Sequence, residues 1–136
     1  MGFFANQLRV TYGETDQMGI VYHANYLRYF EVSRTEMLRS RGLAYRELEE
    51  DGVLLQVVKC ALEFHRPAHY DDLLEVRSRI TQVGKASLVI ASEVWHNGVL
   101  LVTGEVKLAA VARATGRIAP LSQRLLEAIQ VYQTDA

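Results

Sequence analysis

The fold of this chain is decided by residues 16 to 41, which read DQMGIVYHANYLRYFEVSRTEMLRSR. From Ala24 to Arg41 the apolar side chains recur at helical spacing, with Tyr26 and Phe30 near one face. Gly42 then supplies a helix stop. The stretch therefore predicts one long helix with an apolar face to bury, preceded by a loop that contains glycine.

Outward from this helix, the chain shows the alternation of apolar and polar residues that is typical of strands. A short strand is predicted before the helix, at Leu8–Tyr12, and a short amphipathic turn after it, at Ala44–Asp51. Four strands and a terminal helix follow, with predicted ranges Val53–Phe64, Leu74–Thr81, Ser87–Trp95 and Leu100–Val111 for the strands and Leu121–Tyr132 for the helix. Asn97-Gly98 predicts a tight hairpin, because both residues tolerate positive φ. The pattern indicates an α+β fold with an antiparallel sheet.

Composition restricts the class of protein. A chain of 136 residues is expected to form a single domain, residues 1–136, with one core. Fifteen Lys and Arg against sixteen Asp and Glu give a net charge of -1, which argues against nucleic-acid binding. No apolar run approaches the ~20 residues that span a bilayer, so no membrane insertion is expected. The single cysteine, Cys60, and the lack of a secretory signal pattern predict a reducing, cytoplasmic location.

Asp16 is the most informative polar residue of the loop before the helix. A carboxylate in a loop is ordinarily a turn former, but Asp16 lies too far ahead of Ala24 to cap the helix locally. Near the helix start it would face the positive end of the helix dipole and unpaired backbone N–H groups. A base or nucleophile beside such donors fits acyl transfer, in which an oxyanion develops on the attacked carbonyl.

Residues 16 to 26, DQMGIVYHANY, resemble the Asp-x-x-Gly-x-Val-x-x-x-x-Tyr signature of the 4-hydroxybenzoyl-CoA thioesterase family, whose members have the hotdog fold. The similarity extends over roughly Leu8 to Leu121. The Tyr-His pair after Gly-x-Val most resembles the branch of bacterial acyl-CoA thioesterases associated with the Tol-Pal system. The resemblance implies an antiparallel sheet wrapped around one long central helix, and hydrolysis of an acyl-CoA substrate.

The resemblance also implies roles for individual residues. Asp16 would be the catalytic carboxylate, acting either as nucleophile on the thioester carbonyl or as general base on water. The backbone N–H of His23 would form the oxyanion hole, with the side chain as a further donor. An aromatic residue is usual at this position in aryl-specific members, so His23 favours small aliphatic acyl groups. The implied substrate-binding residues are Gly19, Val21, Tyr22, Tyr26 and Lys85, and no metal or other cofactor is implied.

Other ionisable side chains are weaker candidates. The turn that contains Lys85 resembles one that contacts the nucleotide of CoA in relatives, whereas Arg113 and Arg117 rank behind it. His65 and His69 are separated by a proline that prevents helical spacing, so we interpret them as structural or surface residues and not as metal ligands.

Several of the implied site residues also have purely structural interpretations. Tyr26 and Phe30 fit the core of the central helix, and Tyr22 fits an aromatic contact at the junction of loop and helix. His23 fits a packed residue at the helix start. Glu14 is interpreted as an exposed turn residue, although it is close enough in sequence to perturb Asp16.

The resemblance implies an assembly of several subunits. Hotdog subunits pair their sheets edge to edge and form active sites between protomers, so a homodimer is the minimal unit expected and a tetramer the expected assembly. Leu88, Ile90, Val94 and the segment 100–106 supply more apolar strand than one helix easily covers, which predicts further burial between subunits.

Two other functions fit the same fold. One is a noncatalytic module that binds acyl-CoA or an acyl carrier protein. The other is an enoyl-thioester hydratase or dehydratase, but the chain lacks the His-Phe-Pro segment of the dehydratase type. Thioester hydrolysis is therefore the main hypothesis, and the length of the acyl chain is left open.

Overall fold

A five-stranded antiparallel sheet carries one long helix on its inner face in the computed structural model, which describes residues 2–134. The strands are β1 (Phe4–Arg9), β2 (Val53–Phe64), β3 (Leu73–Val83), β4 (Ser87–His96) and β5 (Val99–Ala112), and the helices are α1 (Asn25–Ser40), α2 (Tyr45–Glu50) and α3 (Gln123–Ile129). The strand order across the sheet is β1-β3-β4-β5-β2. No helix within these residues is long and apolar enough to cross a membrane. The predicted order of strands and helices is confirmed.

The apolar face of α1 packs on the sheet and forms the core. Tyr26, Phe30 and Met37 are buried in one cluster with inward-facing side chains of β3, β4 and β5. The Phe30 ring of the helix packs directly on Gly104, where a Cβ atom would lie 2.6 Å from Leu62 Cδ2 and 2.7 Å from Phe30 Cε2. A glycine at this point of β5 therefore leaves the space that the Phe30 ring occupies.

The hairpin between β4 and β5 has the predicted turn. Asn97 and Gly98 both adopt positive φ, at 48° and 78°, and His96 pairs with Val99 across the turn. Two consecutive residues in this conformation match the twist of the flanking strands. The register of the two central strands is thereby fixed by local sequence.

Two predicted elements have different bounds in the structure. The first strand is β1, Phe4–Arg9, and not Leu8–Tyr12. The chain leaves the sheet after Arg9, because the Thr11 N–H donates to the Glu14 carboxylate at 2.8 Å and the intervening residues form a 3-10 turn. The terminal helix α3 starts at Gln123, since the Ser122 hydroxyl accepts the Leu125 N–H and caps the first turn.

The prediction that β4 and β5 need a partner subunit to cover their apolar residues is wrong. Leu88, Ile90 and Val94 are buried within the chain, in the same cluster as α1. On the sheet, the longest exposed stretch of a strand lies instead on β2, where residues 56–61 are all exposed and include Val57 and Val58. Val58 retains 52% and Phe64 53% of their accessible surface. The reason is topological: β2 is an edge strand, and among residues 2–134 no other strand pairs with its outer edge.

Gly104→Ala is expected to lower the free energy of unfolding by about 1–3 kcal/mol, the usual cost of overpacking a core, because the added methyl group would overlap Phe30 and Leu62. Urea denaturation followed by circular dichroism measures the change. Gly13→Ala is the control, since a Cβ there meets nothing within 4 Å and the backbone φ is not positive. A Gly104→Ala protein as stable as the wild type would contradict this account of the contact.

Candidate active site

The loop between β1 and α1 folds back on itself as a short antiparallel ribbon. Thr15 bridges to Val21, and the Asp16 N–H donates to the carbonyl of Ile20 at 2.9 Å. Gly19 closes the turn with a φ of 80° and donates its N–H to the Asp16 carbonyl at 2.9 Å. This positive φ is accessible to glycine at little cost, so the residue is suited to the turn that presents Asp16.

The Asp16 side chain has one oxygen engaged in the turn. Its Oδ1 accepts the Met18 N–H at 2.8 Å, which is the geometry of an Asx turn. Within residues 2–134, Oδ2 has no hydrogen-bond partner, and the residue is only partly buried at the wall of a cavity. The carboxylate is thus oriented by the loop while one oxygen stays available to a ligand.

The cavity has a volume of about 420 Å³ and is open on one side. Two segments form its walls: the loop and first turn of α1, and the residues that follow β2. The lining residues are Asp16, Met18, Ile20, Val21, His23, Tyr26 and the segment 64–67. Three of the lining residues form an aromatic cluster, in which the Phe64 ring centroid lies 5.7 Å from that of Tyr26 and 6.5 Å from that of His23.

The amino end of α1 points toward this cavity. The residue before the helix is Ala24, whose side chain provides no capping acceptor. For the His23 N–H, no acceptor is found in the part of the chain that the structure describes. An unsatisfied N–H at the positive end of a sixteen-residue helix is a ready donor for an anionic oxygen.

Glu14 is buried, so its interpretation as an exposed turn residue is wrong. Its Oε1 accepts the Thr11 N–H at 2.8 Å and the Tyr29 hydroxyl at 2.9 Å, and its Oε2 accepts Arg28 Nη1 at 2.8 Å. Burial acts to raise the pKa of Glu14, but the three hydrogen bonds and the Arg28 charge outweigh it and hold that pKa below its ordinary value. The carboxylate is therefore ionised at neutral pH.

Tyr26 combines a core position with a place on the cavity wall. Only 2% of its surface is exposed. Burial raises the pKa of the Tyr26 hydroxyl and the charge of Asp72 adds to this, while a hydrogen bond with the Ala68 backbone acts in the opposite direction. The phenol is thus neutral across the physiological range and acts as a hydrogen-bonding, apolar wall.

Comparisons with known proteins agree with this geometry. Residues 10–129 match the model of the thioesterase-like superfamily. The chain belongs to that superfamily. A protein of Aquifex aeolicus named a putative esterase is 30% identical over 93% of this chain and 98% of its own length. The acyl-CoA thioesterase YbgC of Haemophilus influenzae is 38% identical over 79% of this chain and 80% of its own.

The fold of this chain is also similar to that of a solved thioesterase structure. The 1,4-dihydroxy-2-naphthoyl-CoA thioesterase from Synechocystis superposes with a TM-score of 0.88 at 26% identity, over 95% of this chain and 96% of its own. The predicted hotdog fold, with an antiparallel sheet and one long central helix, is confirmed.

The structure brings together most of the residues that the sequence singles out in the thioesterase. Four of them line the cavity: Asp16, Val21, His23 and Tyr26. Gly19 shapes the turn beside it without forming its wall. Tyr22 is half exposed, and its ring centroid lies 4.4 Å from that of His23 with the two planes tilted by 41°. The loop motif therefore predicts one wall of the cavity well.

Lys85 lies far from this cavity within one chain. It occupies the turn between β3 and β4, where the neighbouring Ala86 carbonyl accepts the N–H of Ala110. The cavity adjoins Phe64, which pairs with Val102 at the other end of β5. Eight residues of strand at ~3.4 Å each separate the two ends by roughly 25 Å.

The second wall of the cavity includes residues that local sequence patterns miss. Phe64, His65 and Arg66 enter the site only because β2 ends beside the first turn of α1. His65, interpreted above as structural or surface, lines the cavity and hydrogen-bonds through its ring to Thr103 Oγ1 at 3.2 Å. Within residues 2–134, no group of three or more His, Cys, Asp or Glu side chains is placed to hold a metal ion.

The stability of the thioesterase is expected to depend on pH through Glu14. Because the folded-state pKa is lowered from 4.5, the stabilisation is complete above about pH 4.5 and is lost as pH falls through the folded value. Glu14→Gln should therefore cost about 1.5–3 kcal/mol at neutral pH. Urea unfolding of both proteins from neutral pH down to about pH 3 measures the difference. A difference that stays constant over this range would contradict the assignment.

Proposed function

We propose that this thioesterase hydrolyses acyl-CoA to a free acid and CoA, with Asp16 as the catalytic carboxylate and the His23 N–H as oxyanion donor. The observation that carries the proposal is that Asp16 and His23 line one cavity at the amino end of α1. Neither group has all of its hydrogen-bonding capacity used within residues 2–134. A base and a donor on the same cleft are the two components that acyl transfer requires.

Two chemical routes fit this arrangement. In the first, Asp16 removes a proton from water as the water oxygen attacks the thioester carbonyl. In the second, the carboxylate attacks directly and water later hydrolyses the mixed anhydride. In both, the carbonyl oxygen becomes an oxyanion at the His23 N–H, the C–S bond breaks, and the CoA thiolate leaves and takes up a proton.

The proposed substrate is a short-chain or otherwise small acyl-CoA. A cavity of about 420 Å³ lies in the lower part of the range for small-ligand sites. The apolar walls formed by Ile20, Val21 and Phe64 suit an uncharged acyl group. His23 stands where aryl-specific relatives tend to have an aromatic residue, which supports aliphatic over benzoyl substrates. The resemblance to the Tol-Pal-associated branch and the cytoplasmic location stay predictions.

The proposed assembly is a homodimer as the minimal unit, formed through β2, and a tetramer as the complete assembly. The edge of β2 is unpaired and residues 56–61 are exposed, including Val57 and Val58. An exposed apolar edge strand pairs readily with another chain. Because Lys85 lies at the opposite end of its own sheet, we propose that it serves the CoA phosphates only in the site of another subunit.

A noncatalytic binding module is the second candidate. It is favoured by the hydrogen bond between Asp16 Oδ1 and the Met18 N–H, which gives the carboxylate a structural role of its own. In that case the same cavity would hold the acyl thioester without cleaving it. The two candidates differ in one observable, the release of free thiol.

Asp16→Asn is expected to lower kcat on the best acyl-CoA by at least about 100-fold, the lower range for loss of a general base, while the Asx turn is kept. The assay follows thiol release from short-chain, long-chain and aryl acyl-CoAs. Asp71→Asn is the matched control, because Asp71 lies in an exposed loop outside the cavity lining. Undiminished turnover by a folded Asp16→Asn protein would reject the assigned role. Ligand binding without thiol release by the wild type would favour the binding module.

Val58→Lys is expected to shift the protein toward monomer, because charges introduced at the unpaired edge of β2 would face each other across a two-fold axis. Light scattering coupled to size-exclusion chromatography measures the mass in solution. Val99→Lys serves as control, since Val99 is similarly exposed but lies at the β4–β5 hairpin. An unchanged mass for Val58→Lys would argue against assembly through this edge.

A further inference from the structure

We propose that Glu14 is a positioning residue of the active site, fastening the loop that carries Asp16 and His23 to the first turns of α1. The inference rests on the function proposed for that cavity. It starts from a buried acid that the reaction itself does not use. Glu14 is 9% exposed and does not line the cavity.

The Glu14 carboxylate joins the loop after β1 to α1. It accepts the Thr11 N–H two residues beyond β1, and on α1 it accepts the Tyr29 hydroxyl and Arg28 Nη1. Both oxygens therefore have donors, which leaves Glu14 poorly suited to take a proton from water. Its charge is used to hold the loop against the helix.

The Glu14 backbone carbonyl holds the segment around His23. It accepts the Tyr22 N–H at 2.9 Å and Asn25 Nδ2 at 2.8 Å. These two donors lie on either side of His23 in sequence. The His23 N–H is thus placed by its neighbours and is not itself consumed in the attachment.

The same residue also sets the start of the Asp16 turn. Glu14 closes the 3-10 turn from Tyr12 to Glu14, and Thr15 immediately bridges to Val21 to begin the ribbon that presents Asp16. A shift of Glu14 would therefore move the carboxylate and the oxyanion donor together. Misplacement of reacting groups by about 1 Å is enough to cost roughly 100-fold in rate.

The test uses the 136-residue chain with Glu14→Gln, Tyr29→Phe and the double variant. Glutamine keeps the shape of glutamate but replaces one carboxylate oxygen with an NH₂ group. That group cannot accept the hydrogen bond that the oxygen accepts from Arg28, or those from the Thr11 N–H and the Tyr29 hydroxyl. Tyr29→Phe removes one donor without touching the cavity wall. Glu36→Gln is the matched control, because Glu36 pairs with Arg39 on the outer surface of α1.

The readouts are kcat and KM for thiol release from acyl-CoA, measured where circular dichroism shows each variant to be folded, and amide hydrogen exchange over residues 15–24. We expect Glu14→Gln to lower kcat by about 10-fold to 100-fold with KM within about three-fold of wild type. Exchange of the Tyr22 N–H should become faster. Tyr29→Phe should give a smaller loss, and the double variant should be no worse than Glu14→Gln alone.

Unchanged kcat and unchanged exchange in Glu14→Gln would overturn the inference. If that variant does not fold, the same result in Tyr29→Phe would do so. An equal loss of kcat in Glu36→Gln would also count against the inference, because a general effect of charge on the helix would then explain both losses. Failure of the proposed function looks different: the wild type would release no thiol from any acyl-CoA, and exchange in Glu14→Gln would still decide whether Glu14 holds the loop.

Discussion

The packing of α1 on the sheet is the constraint on which the site depends. Burial of Tyr26, Phe30 and Met37 fixes the helix along the sheet, and Gly104 allows the approach to be close. Once the helix is seated, its amino end must lie beside the end of β2. Hydrophobic packing thereby sets the direction of the helix dipole, and the loop supplies the facing wall of the cavity.

A buried carboxylate would ordinarily destabilise such a fold, and Glu14 illustrates when it does not. Removing an ionised group from water is costly unless each oxygen finds a donor. Here two neutral donors and one guanidinium meet the carboxylate, and its pKa is lowered despite burial. The balance depends on geometry that only the docked helix supplies. The loop is therefore ordered by tertiary contacts to α1 in addition to its own local turns.

The sequence predicts this fold well where local rules dominate. Asn97-Gly98 determines the turn between β4 and β5, and the helical spacing after Ala24 locates α1. It predicts the site only in part, since the motif gives Asp16 and His23 but not the wall formed by residues 64–67. That wall depends on where β2 ends relative to α1, a long-range relation. The burial of Glu14 is missed for the same reason, because its partners Arg28 and Tyr29 on α1 lie 14 and 15 residues further along the sequence.

Phe64 connects the question of assembly to that of catalysis. Its ring lines the cavity beside Tyr26, yet half of its surface is exposed at the end of an edge strand. Both facts follow from the place of β2 at the margin of the sheet. A second chain paired along this edge, as in the proposed assembly, would cover the exposed side of the ring. Exclusion of water from that side would strengthen the electrostatic attraction between the His23 N–H and a developing oxyanion. In the proposed assembly, Phe64 would therefore couple dimer formation to the rate of hydrolysis.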